Sequence, residues 1–166
     1  MDSIVILFSE TLGKYISKEA TVLIISMLPI LELRGGLLSA KLLSVPLSKA
    51  IPLCVIGNMI PIPFILLFIK RIFAWLKKFK TTGKFVKRLE ERAMKRSDSV
   101  TRYEIFGLVL FVGIPLPGTG AWTGSLIASL LNMDIKRASI SILLGIAMAT
   151  VIMSFVAYGL LGFLIG

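Results

Sequence analysis

The sequence predicts an all-α integral membrane protein. Its plan is an inverted repeat of a re-entrant helical hairpin plus a transmembrane helix, with a short N-terminal helix and a basic amphipathic cytoplasmic segment added. Three observations predict it. The composition is 56% hydrophobic and 17% charged, with mean hydropathy +0.91, which suits a bilayer better than water. Two apolar stretches are interrupted by proline and glycine where a spanning helix would need its backbone intact. The two halves align on each other at an offset of 88 residues, with Pro29 on Pro117, Gly36 on Gly124, Ala40 on Ala128 and Gly57 on Gly145.

Residues 3–16 form an apolar helix too short to span, which lies at the interface or packs on the bundle. Residues 20–31 are the first leg of a hairpin. The break follows as Pro29-Ile-Leu-Glu-Leu-Arg-Gly-Gly36, and residues 37–43 are the second leg, which carries Lys41 as a snorkelling residue. Ser44-Val-Pro-Leu-Ser48 is a turn in which Ser48 can cap the next helix. Residues 50–69 hold no ionisable group and can span, with kinks expected from Pro52, Pro61 and Pro63.

Residues 70–102 contain 12 of the 19 Lys and Arg of the chain. A basic block between apolar runs belongs on the cytoplasmic side and meets anionic lipid head groups there. Phe73, Leu76, Phe79, Phe85 and Leu89 supply its apolar positions, and Trp75 marks the interface. The net charge of +10 is concentrated in this block, and no base-reading motif accompanies it, so nucleic acid is not the expected partner.

Residues 105–133 form the second apolar run, again without an ionisable group. At its centre stands Gly113-Ile-Pro-Leu-Pro-Gly-Thr-Gly-Ala-Trp-Thr-Gly124. In lipid each freed backbone polar group costs several kcal/mol unless protein or water satisfies it, so this break belongs against protein or a wet cavity. Legs 105–112 and 121–133 are each too short to cross, and Pro115 to Gly120 is the tip. A polar turn, Asn132 to Arg137, leads into a last apolar run, 138–166, long enough to span with some tilt.

Placing the basic block inside sets the topology. The first hairpin then enters from outside and the second from the cytoplasm, so the tips meet near the midplane. Discontinuous helices around a central site are the pattern of secondary transporters. The chain is read as one membrane domain, with repeat 1 at about 20–70, the linker at 70–103 and repeat 2 at about 104–166.

The candidate site follows from chemistry. Glu32 and Arg34 are the ionisable pair of a tip. A charge at membrane depth is paired, wet or functional. Arg34 suits an anionic group such as phosphate through its planar fork of donors, and Glu32 is the candidate proton-coupling carboxylate. The rival is a structural ion pair that locks the tip. The helix beginning near Ala121 points its N-terminus into the membrane, where its N–H groups attract an anion, and Thr119 and Thr123 can cap it. Gly35, Gly36, Pro117, Gly118 and Gly120 let substrate approach the backbone, or alternatively let the hairpins pack closely. Trp122 is a substrate platform or a packing residue. Asn58 reaches the site or bonds between helices. With no His and a lone Cys54, neither a metal centre nor a catalytic nucleophile is expected, and no cofactor is called for. The first residues, with Asp2 and Glu10, do not read as a cleavable signal.

The two interrupted segments, Pro29 to Gly36 and Pro115 to Gly124, resemble the paired signatures of the small multi-drug export protein family, over roughly residues 20–165. That family is similar in layout to the DedA/VTT superfamily, with its paired re-entrant hairpins. The resemblance implies proton-dependent transport or flipping of lipid phosphates in the cell (inner or plasma) membrane. Here the acid and the arginine share one hairpin, a departure from the DedA arrangement. The expected function is a small secondary transporter or flippase working as a homodimer. Export of cationic drugs with Glu32 as the cation partner is one alternative. A non-transporting scaffold that docks a partner or anionic lipid through its basic loop is another.

Overall fold

The computed structural model describes residues 2–95 and 98–160, and these are helical with turns and no strand. In order the helices are α1 (Asp2–Leu12), α2 (Lys18–Met27), α3 (Glu32–Leu42), α4 (Leu47–Met59), α5 (Pro61–Leu76), α6 (Lys80–Lys95), α7 (Asp98–Gly113), α8 (Ala121–Leu130) and α9 (Ile135–Ser154). A π-helical segment, Phe155–Leu160, continues α9. The last six positions of the expected final span, and residues 96 and 97 of the basic block, lie outside the described residues.

Helices α4 and α5 run on as one rod, Leu47–Leu76. They are divided at Ile60 because Pro61 and Pro63 lack the N–H groups that would bond back to Gly57 and Met59. This rod and the rod Ile135–Gly159 are each long and apolar enough to cross a membrane. Only 33% and 44% of their apolar windows are buried within the chain. The core helix of a soluble protein would be mostly buried. Here Phe64, Leu67, Phe68, Leu143, Leu144, Val151 and Phe155 stand exposed, an apolar surface that water does not tolerate. The rods therefore belong in a membrane.

The expected breaks are present, with shifted edges. The first is short: Leu28 to Leu31 separates α2 from α3, and Gly35 and Gly36 are already helical. The second, residues 114–120, is longer and lies between α7 and α8. Helix α7 begins at Asp98, well before the apolar run. Ser48 does not cap α4, whose N-cap is Pro46, whereas Ser17 caps α2 by accepting from the Ala20 N–H. On α6 the buried side is Val86 and Ala93, with Leu89 packed beside them. Phe79 and Phe85 point outward, and Lys77 pairs with Glu90 at 2.6 Å.

The offset of 88 recurs in the backbone. Helices α3 and α8 end at Leu42 and Leu130, and α4 and α9 begin at Leu47 and Ile135. Between them the same turn is made twice. Ser44 and Asn132 both sit at φ 57, and the N–H groups of Val45 and Met133 close on the carbonyls of Ala40 and Ala128 at 2.8 and 3.0 Å. A residue in the left-handed region just past a helix end satisfies its last carbonyls.

The glycines repeat their task as well. A Cβ on Gly57 would meet the Leu23 carbonyl oxygen at 2.5 Å, and one on Gly145 would meet that of Val109 at 2.9 Å. Each long rod thus lies close on the first leg of its own hairpin, as small residues permit in membranes. The far end of each rod reaches the other half. Lys70 on α5 donates to Asn132 in the turn before α9, and Tyr158 donates to the Val45 carbonyl before α4 at 2.9 Å. The two rods consequently run in opposite directions.

Candidate functional site

The two breaks meet. Glu32 opens α3 with φ 48, a left-handed backbone that a non-glycine residue adopts only under constraint. Its equivalent at the 88 offset is Gly120, with φ 126, which precedes α8. These equivalent residues touch: a Cβ on Gly120 would fall onto the Glu32 carboxylate. The buried Glu32 side chain crosses to the second hairpin and accepts from the backbone N–H groups of Ala121 at 3.0 Å and Trp122 at 3.2 Å. The helix end that the sequence marks as an anion site therefore already holds a carboxyl group, supplied by the chain. Neither Thr119 nor Thr123 caps α8. Gly120 is its N-cap and makes no side-chain bond, and Glu32 takes that part from 89 positions away. A carboxylate on the free N–H groups of a first turn gains charge-assisted bonds and the favourable end of the helix dipole.

Arg34 crosses in the same direction. Its guanidinium donates to the Leu116 carbonyl at 2.6 Å and to the Thr119 hydroxyl at 2.9 Å, with a longer reach of 3.5 Å to the Ile114 carbonyl. The two carbonyls belong to a loop where Pro115 and Pro117 break the helix, and they also accept from within it, Ile114 from the Leu116 N–H at 2.8 Å and Leu116 from the Thr119 N–H at 3.1 Å. Thr119 completes the knot by accepting from the Leu116 N–H at 3.2 Å. Trp122 adds a third bridge through its indole N–H, 3.1 Å from the Met27 carbonyl at the end of α2. Among the described residues no ion pair within 4 Å joins Glu32 to Arg34. Each side chain is engaged with the opposite break and not with the other as a local ion pair.

The remaining candidates sort by position. Gly36 is buried where a Cβ would strike the Ser26 hydroxyl and crowd the Cys54 sulfur at 2.9 Å, so it is a packing position between α2, α3 and α4. Gly35 likewise faces Leu31. Asn58 is buried on α4 with its Oδ1 unpartnered, and it is not among the groups that bridge the tips. Pro117 and Gly118 lie on the exposed side of the loop, and Thr123 is half-buried in the first turn of α8. The sequence held both parts of the Glu32 contact, an acid in one tip and bare N–H groups in the other. Their complementarity was the available signal. Lys70 and Asn132, Tyr158 and Val45, and Trp122 and Met27 carried no comparable mark.

The cradle is thus rich in donors: two helix N–H groups and one guanidinium within a few residues of each other. Donor-rich, buried and closed by a carboxylate, it suits a negatively charged or hydrogen-bond-accepting group. No curated protein and no solved structure gives a match to the chain. One family model does, that described as "Putative small multi-drug export protein", over residues 32–152, a span that begins just after the first break, contains the second and includes Glu32, Arg34, Thr119 and Trp122. Since the match covers most of the chain, the protein belongs to the small multi-drug export protein family.

Proposed function

We propose that the protein is a small, proton-coupled secondary transporter or flippase that moves an anionic or amphipathic, lipid-phosphate-like substrate between two re-entrant hairpin tips. The observation that carries this reading is the Glu32 carboxylate on the Ala121 and Trp122 N–H groups. The position is built for an anion and is held by a group that can take up a proton. A protonated Glu32 is a poorer acceptor for those donors, so proton uptake frees them for the substrate's anionic group, and Arg34 can follow from the loop carbonyls to the substrate. Substrate release and proton loss then restore the internal contact. On this scheme proton and anion travel together.

The inverted arrangement is supported by the opposite run of the two rods and by the contact of equivalent residues Glu32 and Gly120. A two-fold relation brings equivalent positions face to face on its axis, and rocking of one repeat against the other would alternate access. The Lys70 bond to Asn132 joins the end of the first span to the start of the second near the basic helix α6, which supports a cytoplasmic position for that side. Exposed Phe79, just before that helix, and Phe85 on it suit contact with anionic lipid at the surface of the cell membrane. Exposed Ile30, Ile114 and Leu116 leave the tips open on one side, where a second copy in a homodimer would close them.

The test is uptake into proteoliposomes under an imposed pH gradient, comparing an alkyl phosphate with a cationic dye. Proton-driven movement of the phosphate, lost in Glu32→Gln and in Arg34→Ala, is the expected result. Transport unchanged in both variants would show that the tips do not carry the substrate. Movement of the dye alone would favour export of cationic drugs with Glu32 as the cation partner. Loss of function only when residues 77–100 are removed would favour the scaffold.

A further inference from the structure

Helix α9 changes its winding at Phe155, and Phe155–Leu160 closes π-helical turns. Such turns are rare and concentrate at functional positions. A cavity of about 420 Å³ opens at this point between the start of α4 and the end of α9, walled by Leu47, Ile51, Val151, Ser154, Phe155 and Tyr158. Its size falls within the range of small-ligand sites, about 300–1,000 Å³. The wall is apolar apart from its hydroxyls. That of Thr150 is spent on the Ile146 carbonyl and that of Tyr158 on the Val45 carbonyl. The Ser154 hydroxyl is buried with no partner. Buried hydroxyls almost always have one, and a turn of the Ser154 side chain toward the cavity would let this one donate to a polar atom from outside the chain.

The rim carries charge. The Lys41 ammonium lies 5.4 Å from the centroid of the ring of Tyr158, a residue of the cavity wall. Lys41 is exposed, and among the described residues no carboxylate pairs with it. The cavity thus has an apolar body, an unpartnered hydroxyl in its wall and an exposed cation beside its Tyr158. We propose that it holds one acyl chain of an anionic bilayer lipid, with the ester carbonyl accepting from Ser154 and the acidic head group at Lys41. The volume argues against a helix of a second copy. A helix about 10 Å wide would fill it with a single turn. The inference needs the rods to lie in a bilayer and does not depend on transport at the tips.

The experiment uses the full-length protein in nanodiscs containing either phosphatidylglycerol or phosphatidylcholine that carries a photoactivatable group on one acyl chain. Cross-linked residues are mapped by mass spectrometry. The expected label falls on Ile51, Val151 and Phe155, with about fivefold excess for the anionic lipid, since a lysine at the surface contributes about 1 kcal/mol. Lys41→Gln should remove the excess, and Val151→Trp, which fills the cavity, should remove the label. Protection of Cys54 from maleimide reports that each variant is folded. Equal labelling by the two lipids, or label that persists in Val151→Trp, would overturn the proposal by showing an ordinary lipid annulus. A disulfide between two copies of Val151→Cys, with no lipid label at these residues, would overturn it by giving the face to a second chain.

Discussion

Gly120→Ala tests the meeting of the two breaks most directly. Two costs add. The backbone at Gly120 stands at φ 126, and a side chain there is strained by about 1–3 kcal/mol. The new Cβ would also land on Glu32 Oε2 and within 2.8 Å of Oε1, so the carboxylate must leave the Ala121 and Trp122 N–H groups. Losing charge-assisted bonds at a buried site costs about 2 kcal/mol after solvation is counted. The variant should therefore lose about 3–5 kcal/mol of stability. Glu32→Ala alone should lose only the second part. In the double variant the carboxylate cannot be displaced twice, so the two single effects exceed the combined effect by about 2 kcal/mol. Unfolding by sodium dodecyl sulfate in mixed micelles, followed through tryptophan fluorescence, measures all four states. Effects that add to within about 0.5 kcal/mol would refute the contact between the tips.

Three further outcomes follow from the same packing. Gly57→Val and Gly145→Val should each destabilise by about 1–3 kcal/mol, because side chains there press on the Leu23 and Val109 carbonyls; unchanged melting in detergent would contradict the close approach of rod and hairpin. Trp122→Phe keeps the ring and loses the bond to the Met27 carbonyl, so a loss of about 1 kcal/mol in the same unfolding assay is expected, and none at all would remove that bridge from the account. Cys54 is fully buried between α3 and the rest of the bundle, so maleimide should label it only after denaturation; rapid labelling of the folded protein would mean that the core around Gly36 is open.

Much of the element order could be read from the residues. Proline and glycine write breaks plainly, since each acts through its own backbone, and the apolar rods declare themselves by length. The 88-residue offset, visible in a few matched glycines and prolines, reappears as matched helix ends and as the paired turns at Ser44 and Asn132. The misjudged parts depend on partners distant in the chain. Gly35 and Gly36 look like helix breakers, yet they sit inside α3 because the space beside them is already taken by Leu31, Ser26 and Cys54. Helix α7 starts in polar sequence at Asp98, where apolar periodicity gives no signal. Glu32 and Arg34 were recognisable as charges needing a reason. That their reason is the other tip depends on a contact across 80 to 90 residues, which local pattern does not encode.

The repeated backbone and the single acid have a joint consequence. Positions 32 and 120 are counterparts: Glu32 opens α3, and Gly120 precedes α8, whose first N–H groups hold the Glu32 carboxylate. A two-fold relation between the halves would offer two equivalent ways to seat one carboxylate, with the placement of glutamate on one side breaking the tie. Exchanging them, Glu32→Gly with Gly120→Glu, should reverse the preference, so that reporter cysteines reachable from one compartment become reachable from the other. If their accessibility stays put, the tie is broken elsewhere in the chain.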